Sequence, residues 1–514
     1  MDLDHAACYR ALSTRDIRFD GRLFVAVKTT GIYCRPVCPA RIPRPENVVF
    51  YGTAAAAHEN GFRPCLRCRP ETSPDLAVWQ GTSNTVSRAL SLIEAGALEA
   101  GDIEGLADQV GVGARQLRRL FHQHIGASPV TVAQTRRVLL AKQLIHETTL
   151  PMAEIALASG FGSIRRFNET FQALYKRSPS QLRRASCQSV ASGGVVRVSL
   201  RYRPPYDWHS MIAFLGSRAI PGVEIVSGDA YLRTIEIGGN QGVVRVRPTP
   251  GNVLEATVWF PQLSALPLIV ARLRRVFDLA ADPEAIQAHL SQDALLAQLI
   301  AATPGLRVAG AWDGFELAAR AVLGQQTFAA AAINLTGRLV QSYGLPLNPD
   351  VAPFAGLTHV FPRPAMLANR DLTTLGIPKT RAASLSALAR TVAGNPSIFG
   401  ARRSLEDAIR QLKSLSGVGE GTAQYIAMRE LREPDAFPAA DIGLLRAIAD
   451  IEGRRPSPAA LLKRAERWRP WRAYAAQHLW VSYVSSATRC SVPPHANHVE
   501  TSVWTRSCQR RNSD

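Results

Sequence analysis

A chain of 514 residues is too long to close around one hydrophobic core, so three or four domains are expected. Its 46% hydrophobic and 20% charged residues exclude a disordered or fibrous protein, and no apolar run is long enough to span a bilayer. Sixty basic against 41 acidic residues give a net charge of +19 and a pI near 10.1; six of the basic residues are Lys and the rest Arg. Such a balance points to a polyanionic partner, since each phosphate neutralised releases condensed counterions. A genome that encodes Arg freely would leave the same mark. No N-terminal signal pattern is present, so a bacterial cytoplasmic, nucleoid-associated protein is expected. In that reducing compartment eight cysteines imply metal or catalysis rather than disulfides.

Along the chain, residues 1–78 are rich in Gly, Pro, Cys and aromatics, with a strand expected in "GRLFVAVKTT". Residues 84–184 turn helical and contain an internal echo, "GVGARQLRRLFHQHIGASP" (111–129) and "GFGSIRRFNETFQALYKRSP" (160–179). In each, a Gly opens a turn, a helix follows, and Ser-Pro is expected to stop it. Residues 185–194 read as a flexible linker. Residues 195–283 alternate as strands ("VVRVSLRY", "YLRTIEI", "GVVRVRP", "VLEATVWF") before the helix "LPLIVARLRRVFDL". From 284 to 484 the pattern is helix after helix, and 485–514 is expected to be a disordered tail. The fold class is therefore multidomain α+β: a small α/β cysteine domain, an all-α repeat, an antiparallel sheet with helices, and an all-α domain.

Cys34 and Cys38 in "GIYCRPVCPA", with Cys65 and Cys68 in "FRPCLRCRP", have the spacing of a tetrahedral thiolate zinc site. The surroundings are basic: Arg35, Arg41, Arg44, Arg63, Arg67 and Arg69. A purely structural zinc and a reactive zinc-bound thiolate both fit these residues; zinc keeps a sulfur deprotonated yet nucleophilic. The other four cysteines, Cys8, Cys187, Cys490 and Cys508, are scattered. The stretch "FVAVKTTGIYCRPVCPAR…ENVVFY…GFRPCLRCRP" closely resembles the N-terminal domain of the Ada family of methylphosphotriester repair proteins. The resemblance implies one Zn2+ and makes Cys34 an irreversible methyl acceptor. It also maps phosphate-side contacts onto Thr30, Arg41, Arg63 and Arg67.

Each half of the helical repeat fits a helix-turn-helix. In the first, Leu106, Ala107 and Val110 would pack on Leu117 and Leu120, leaving Arg115, Gln116, Arg118 and Arg119 for DNA. The second exposes Ser163, Arg165, Arg166 and Asn168. The region resembles the AraC-type regulator domain, whose two units read successive major grooves. A helical spacer between enzyme modules is the alternative.

Farther on, "LKSLSGVGEGTAQYIAM" (412–428) places a Gly-rich turn between two helices, with Gly417 and Gly419 offering backbone N–H groups to a phosphate. Asp441 in "FPAADIGLLRAI" is a lone carboxylate in an apolar stretch; it fits a helix cap and a catalytic group alike. Hairpin, Pro and Asp together are similar to the helix-hairpin-helix DNA glycosylases. Within them, "RPPYDW", "FELAARAVLGQQ", "GVGEGTAQYIAMR" and "AERWRPWRAYAAQHLW" resemble the AlkA group of 3-methyladenine glycosylases across 198–484. That resemblance makes Asp441 the carboxylate that stabilises an oxocarbenium-like sugar and places Tyr425 and Trp480 in the base pocket. Gly421 stands where bifunctional relatives carry a Schiff-base Lys, which implies a monofunctional enzyme, and where this group has a pocket Trp. Gln326 stands where the group inserts a Leu wedge into the base stack. The family's iron–sulfur cysteines and the O6-alkylguanine acceptor motif of Ada are both missing, and no organic cofactor is expected.

The combined expectation is a DNA repair protein and regulator in one chain, acting on double-stranded DNA as a monomer, contacting RNA polymerase when it activates transcription, and meeting no membrane. A transcription factor with structural zinc and an inactive glycosylase-like domain is the rival.

Overall fold

A computed structural model of the chain describes residues 4–74, 84–94, 96–98, 102–183, 195–325, 327, 329–348, 354–400 and 404–490. The expected linker at 185–194 lies outside them, as do Gln326 and residues 491–514 of the expected tail.

The N-terminal unit opens with α1 (His5–Ser13) and a sheet of β1 (Phe24–Val27), β2 (Ile32–Cys34), β3 (Val48–Tyr51) and β4 (Arg63–Pro64), with α2 (Ala54–Glu59) between the last two. Strand order is β3-β1-β2-β4, antiparallel except for the parallel β2–β4 pair. The expected strand is β1, whose apolar, β-branched residues are largely buried. Register matters here: Tyr33 pairs with Pro64, so Cys34 and Cys65 leave neighbouring strands side by side.

Two helix-turn-helix units come next. The first comprises α3 (Asn84–Glu94), α4 (Ile103–Val110) and α5 (Ala114–Ile125); the long α6 (Pro129–Glu147) leads to α7 (Met152–Ala158), α8 (Ile164–Tyr175) and the short α9 (Pro179–Leu182). Leu106, Ala107, Val110 and Leu117 are buried in one cluster as expected, with Leu120 partly buried against it. The Ser-Pro pairs, however, do not stop α5 and α8. Gly126 and Lys176, both left-handed (φ +76° and +54°), end those helices, while Ser128-Pro129 and Ser178-Pro179 supply the cap and first turn of α6 and α9. Proline's fixed φ suits a helix start, and a left-handed residue satisfies the orphan carbonyls of a helix end.

The antiparallel sheet contains β5 (Val195–Arg201), α10 (Trp208–Gly216), β6 (Glu224–Ser227), β7 (Ala230–Ile237), β8 (Asn240–Thr249) and β9 (Val253–Trp259), in the order β5-β9-β8-β7-β6, followed by α11 (Leu266–Val276). The four expected strands are present; the short edge strand β6 carries too little alternation to be read from sequence. Alternate residues serve two faces. Tyr231, Ile235, Val244 and Val246 join α10 and α11, and the same apolar cluster continues into Val138, Leu144, Phe167 and Phe171 of the second helix-turn-helix unit. That unit and the sheet therefore share one core, a contact that the linker composition of 185–194 left open. On the opposite face, Ala230, Leu232 and Val243 are covered by Leu347, Phe354 and Leu357, a loop of the helical domain.

That domain runs through α12 (Pro283–Leu290), α13 (Ala294–Ala302), α14 (Gly314–Gly324), α15 (Ala329–Tyr343), α16 (Pro364–Leu367), α17 (Lys379–Gly394), α18 (Leu405–Lys413), α19 (Glu420–Arg429), α20 (Ile442–Glu452), α21 (Pro458–Ala465) and α22 (Arg472–Cys490). The last helix passes the expected end at 484 and takes residues 485–490 out of the expected tail. Among the described residues no helix is long and apolar enough to cross a membrane.

Charged residues join the units. Lys142 of α6 is fully buried, and its Nζ donates to the Cys65 carbonyl at 2.7 Å and to Glu71 at 2.6 Å. Arg69 bridges Glu71 and Glu147, at 3.1 and 3.2 Å. Arg88 of α3 meets Glu433 at 2.5 Å, both buried, and Arg22 pairs with Asp282 and Glu284. Burial pushes the Lys142 ammonium below its ordinary range, with the Glu71 charge opposing it. Removing one partner leaves a charge stranded in the interior, so Lys142→Met is expected to cost about 3–5 kcal/mol. The check is hydrogen exchange in urea: protection along α6 is lost at lower denaturant in the variant.

Candidate functional site

Two sites emerge, one at each end of the chain. In the first, the Sγ atoms of Cys34, Cys38, Cys65 and Cys68 lie within 4.8 Å of one another. Cys34 closes β2, Cys38 comes after a tight turn in which its N–H bonds the Arg35 carbonyl at 3.1 Å, and Cys65 and Cys68 come after β4. Backbone N–H groups of Arg35 and Arg67 donate to Cys68 Sγ and Cys65 Sγ, each at 3.3 Å. Cys38, Cys65 and Cys68 are buried, whereas Cys34 is partly exposed.

The thiols perturb one another. Hydrogen bonds with Cys38 first, then Cys65 and Cys68, push the Cys34 thiol far up, and the bond with Cys34 brings Cys38 down to about 7. Four sulfurs this close shed all their protons only when a cation offsets the charge. A soft, tetrahedral four-sulfur set with bonds of about 2.3 Å is the ordinary donor set of Zn2+, and the observed spread accommodates it.

Cys34 opens on a cavity of about 720 Å³ lined also by Thr30, Arg41, Arg44, Arg63 and Arg67. The four residues expected beside phosphate thus line the same cavity as Cys34, the partly exposed cysteine, and its buried neighbours Cys38 and Cys65. Arg63 also lies 5.7 Å from the Tyr175 ring centroid, which ties this wall to the end of α8. Arg35 and Arg69 are differently employed: Arg35 binds Asp20, the Cys68 carbonyl and Thr72, and Arg69 is held by Glu71 and Glu147.

On the helix-turn-helix units Arg115, Gln116, Arg118 and Arg119 are exposed on α5, and Arg165, Arg166 and Asn168 on α8. Ser163 caps α8 by accepting from the Arg166 N–H at 3.1 Å. Arg118 lies 3.6 Å from Glu104 and Arg165 2.8 Å from Glu169, pairs between exposed groups that exchange readily for phosphate.

The second site is built on the turn between α18 and α19 and on the start of α20. Gly417 has φ +78°, and a Cβ there would come 2.8 Å from Ser384 Cβ, so the turn tolerates no side chain. Gln325 fixes the turn by donating to the Gly417 carbonyl at 2.7 Å and to Thr422 at 3.2 Å. Gly419 is the cap residue of α19. Asp441 caps α20, so the capping alternative is realised: Oδ1 accepts the Leu444 N–H at 3.0 Å. The same oxygen accepts Trp480 Nε1 at 2.8 Å. Trp480 meets Tyr425 edge-on, with centroids 6.5 Å apart. Gly421, one turn before Tyr425, opens on empty space within 4 Å of where a Cβ would stand.

Sequence reasoning missed three neighbours. Phe214 of α10, Arg218 just beyond that helix and Arg429 of α19 gather beside Tyr425: Arg429 donates to its hydroxyl and lies 5.3 Å from its centroid, and the Arg218 and Arg429 guanidinium groups lie 4.0 and 4.7 Å from the Phe214 centroid. Burial works to raise the Tyr425 phenol, but Arg429 and then Arg218 outweigh it and lower it. The only signal was proximity of α10 to "RPPYDW", within the stretch that carried the glycosylase resemblance.

Comparison with known proteins reproduces the same division. Family models match as "Metal binding domain of Ada" over 7–71, "Helix-turn-helix domain" over 106–185, "AlkA N-terminal domain" over 197–313 and "HhH-GPD superfamily base excision DNA repair protein" over 319–473. The chain is 42% identical to the "Probable bifunctional transcriptional activator/DNA repair enzyme AlkA" of Mycobacterium tuberculosis, over 93% of this chain and 96% of that protein. The chain belongs to that bifunctional family. It is also 34% identical to "DNA-3-methyladenine glycosylase 2" of Escherichia coli, over 55% of this chain and 96% of the relative. A solved "3-methyladenine dna-glycosylase from Archaeoglobus fulgidus" shares the fold of the C-terminal half, with a TM-score of 0.50 at 21% identity over 56% of this chain and 98% of that one.

Membership and the sulfur geometry together make the quartet a one-zinc site. The purified protein should therefore hold one equivalent of zinc by metal analysis, and Cys68→Ala well below one.

Proposed function

We propose that this protein repairs alkylated DNA by two chemistries and couples the first of them to transcription. One observation carries the reading: of the four cysteines Cys34 alone is not buried, and it lies in the wall of an arginine-lined groove. A methylphosphotriester has lost a phosphate charge, so it approaches the thiolates with less repulsion than its neighbours, while Arg41, Arg63 and Arg67 hold the flanking phosphates. Bound Zn2+ keeps the sulfurs deprotonated at neutral pH. Cys34 Sγ attacks the methyl carbon; the S–C bond forms as the C–O bond breaks, and its electron pair stays on the phosphate oxygen. The product is a thioether and an ordinary phosphodiester, and the acceptor is used once. The site then carries one negative charge fewer, which favours DNA binding by the exposed arginines of α5 and α8. Activation at promoters would bring the protein against RNA polymerase.

At the second site Gly417, Gly419 and the α19 N-terminus receive a DNA phosphate, and the damaged nucleotide turns out of the duplex toward Trp480 and Tyr425. Trp480 Nε1 and the Leu444 N–H both donate to Asp441 Oδ1 and fix the carboxylate at the α20 N-terminus. That anion stabilises positive charge developing on the sugar, orients the water that adds to C1′ and takes the proton this water sheds, while the bond electrons leave with the base. Gly421 offers no amine for a Schiff base, so the product is an intact abasic strand.

Asp441→Asn is expected to slow base release by about 10²–10³-fold, the range seen when one transition-state charge partner is lost; single-turnover release from methylated DNA measures it, and an unchanged rate refutes the assignment. Cys34→Ser is expected to abolish methyl transfer to protein from phosphotriester DNA while base release continues, as read by separating protein-bound from free label.

A further inference from the structure

Deepening the glycosylase reading, and resting on it, we propose that Arg218 is a specificity-determining residue that turns the base pocket toward neutral lesions bearing an exocyclic oxygen and away from cationic N-alkylpurines. The aromatic surface around Tyr425 offers cation–π faces on which a positively charged base would stack. In this chain those faces are engaged. The Arg218 guanidinium lies 4.0 Å and the Arg429 guanidinium 4.7 Å from the Phe214 centroid, and Arg429 lies 5.3 Å from that of Tyr425.

The two arginines differ in freedom. Arg429 is buried and committed: Nε donates to the Ala309 carbonyl at 2.9 Å, Nη2 to that of Gly310 at 3.3 Å, and Nη1 to the Tyr425 hydroxyl. Arg218 is exposed just past the last turn of α10, where Nη1 donates to the neighbouring Ser217 hydroxyl at 3.0 Å and to the Phe214 carbonyl at 3.5 Å. It is the guanidinium that can turn toward an entering base. Gly421 leaves room beside Tyr425 for that base to sit closer to Arg218. A cationic base there meets a like charge at short range in a partly desolvated site. A neutral base with a carbonyl oxygen gains a charge-assisted hydrogen bond, and a site built to donate such a bond rejects analogues that lack the acceptor. Cationic lesions retain Trp480 and their intrinsic readiness to leave, so they remain substrates at a disadvantage.

The test uses the full-length protein and duplexes carrying one hypoxanthine (neutral, with an exocyclic oxygen) or one 3-methyladenine (cationic, with an exocyclic amine), each under single-turnover conditions. Arg218→Met keeps an apolar stem over Phe214 and removes the charge; Arg218→Lys restores the charge without the planar donor pair. The readout is the ratio of hypoxanthine to 3-methyladenine release, which is independent of the active fraction. The expected result is a fall of about tenfold or more for Arg218→Met, made of slower hypoxanthine release and faster 3-methyladenine release, with Arg218→Lys still disfavouring the cationic base. An unchanged ratio, with both rates falling together, would show that Arg218 only steadies Tyr425 and overturn the proposal, as would a ratio that rises. Wild-type protein releasing neither base would overturn the glycosylase reading itself, a separate outcome because it needs no variant.

Discussion

A lysine ammonium with no access to water holds the N-terminal half together. Lys142 reaches from α6 to the Cys65 carbonyl and to Glu71, and so pins the cysteine unit to the long helix that leads into the second helix-turn-helix unit. A charge in that position is tolerable only with both partners in place. The helix it belongs to also contributes to the core shared with the five-stranded sheet, and Gln143, its neighbour, donates to the Ser199 carbonyl at 2.8 Å. The metal site is thereby mechanically continuous with the sheet, and through Arg88–Glu433 and Arg22–Asp282 with the helical domain.

Electrostatics explains why such a chain is so basic. A four-thiolate zinc centre is an anion that has to approach another anion, and the surplus of arginine carries it there. The groove beside Cys34 supplies local positive charge, and the exposed faces of α5 and α8 supply the rest. The same logic takes another form at the opposite end. Asp441 Oδ1 accepts from the Leu444 N–H at a helix N-terminus and from the Trp480 indole N–H, and among the described residues it forms no ion pair. A carboxylate paired with an arginine would offer less negative charge to a developing sugar cation.

Much of this was legible in the sequence because the signals are local. Cysteine spacing, the 3.6-residue periodicity of the repeated helices and the Gly-rich turn before α19 each sit within about 40 residues, and the sheet register then completes the quartet. Asp441 was legible as both cap and candidate catalyst, and the structure shows it capping while it also faces Trp480. The features that escaped are non-local. Lys142 and Glu71 lie 71 residues apart, Arg88 and Glu433 lie 345 apart, and neither partner advertises the other. The shared core was hidden because a helix buried on two sides and a linker of small residues look the same whether the modules touch or not. Ser-Pro misleads because the dipeptide suits a helix start as well as the residues beyond a helix end. Here the left-handed Gly126 and Lys176 terminate α5 and α8 before each Ser-Pro is reached, which frees the pair to open α6 and α9.

The central claim is that one chain carries out a stoichiometric transfer at Cys34 and a catalytic release at Asp441. The most direct test is a single incubation of purified protein with duplex DNA carrying labelled methyl groups, counting label on the Cys34 peptide and label freed as base. The account predicts both, with Cys34 label levelling off at one methyl per chain while free base continues to accumulate. Label in neither fraction would contradict it, leaving a zinc-stabilised DNA-binding regulator.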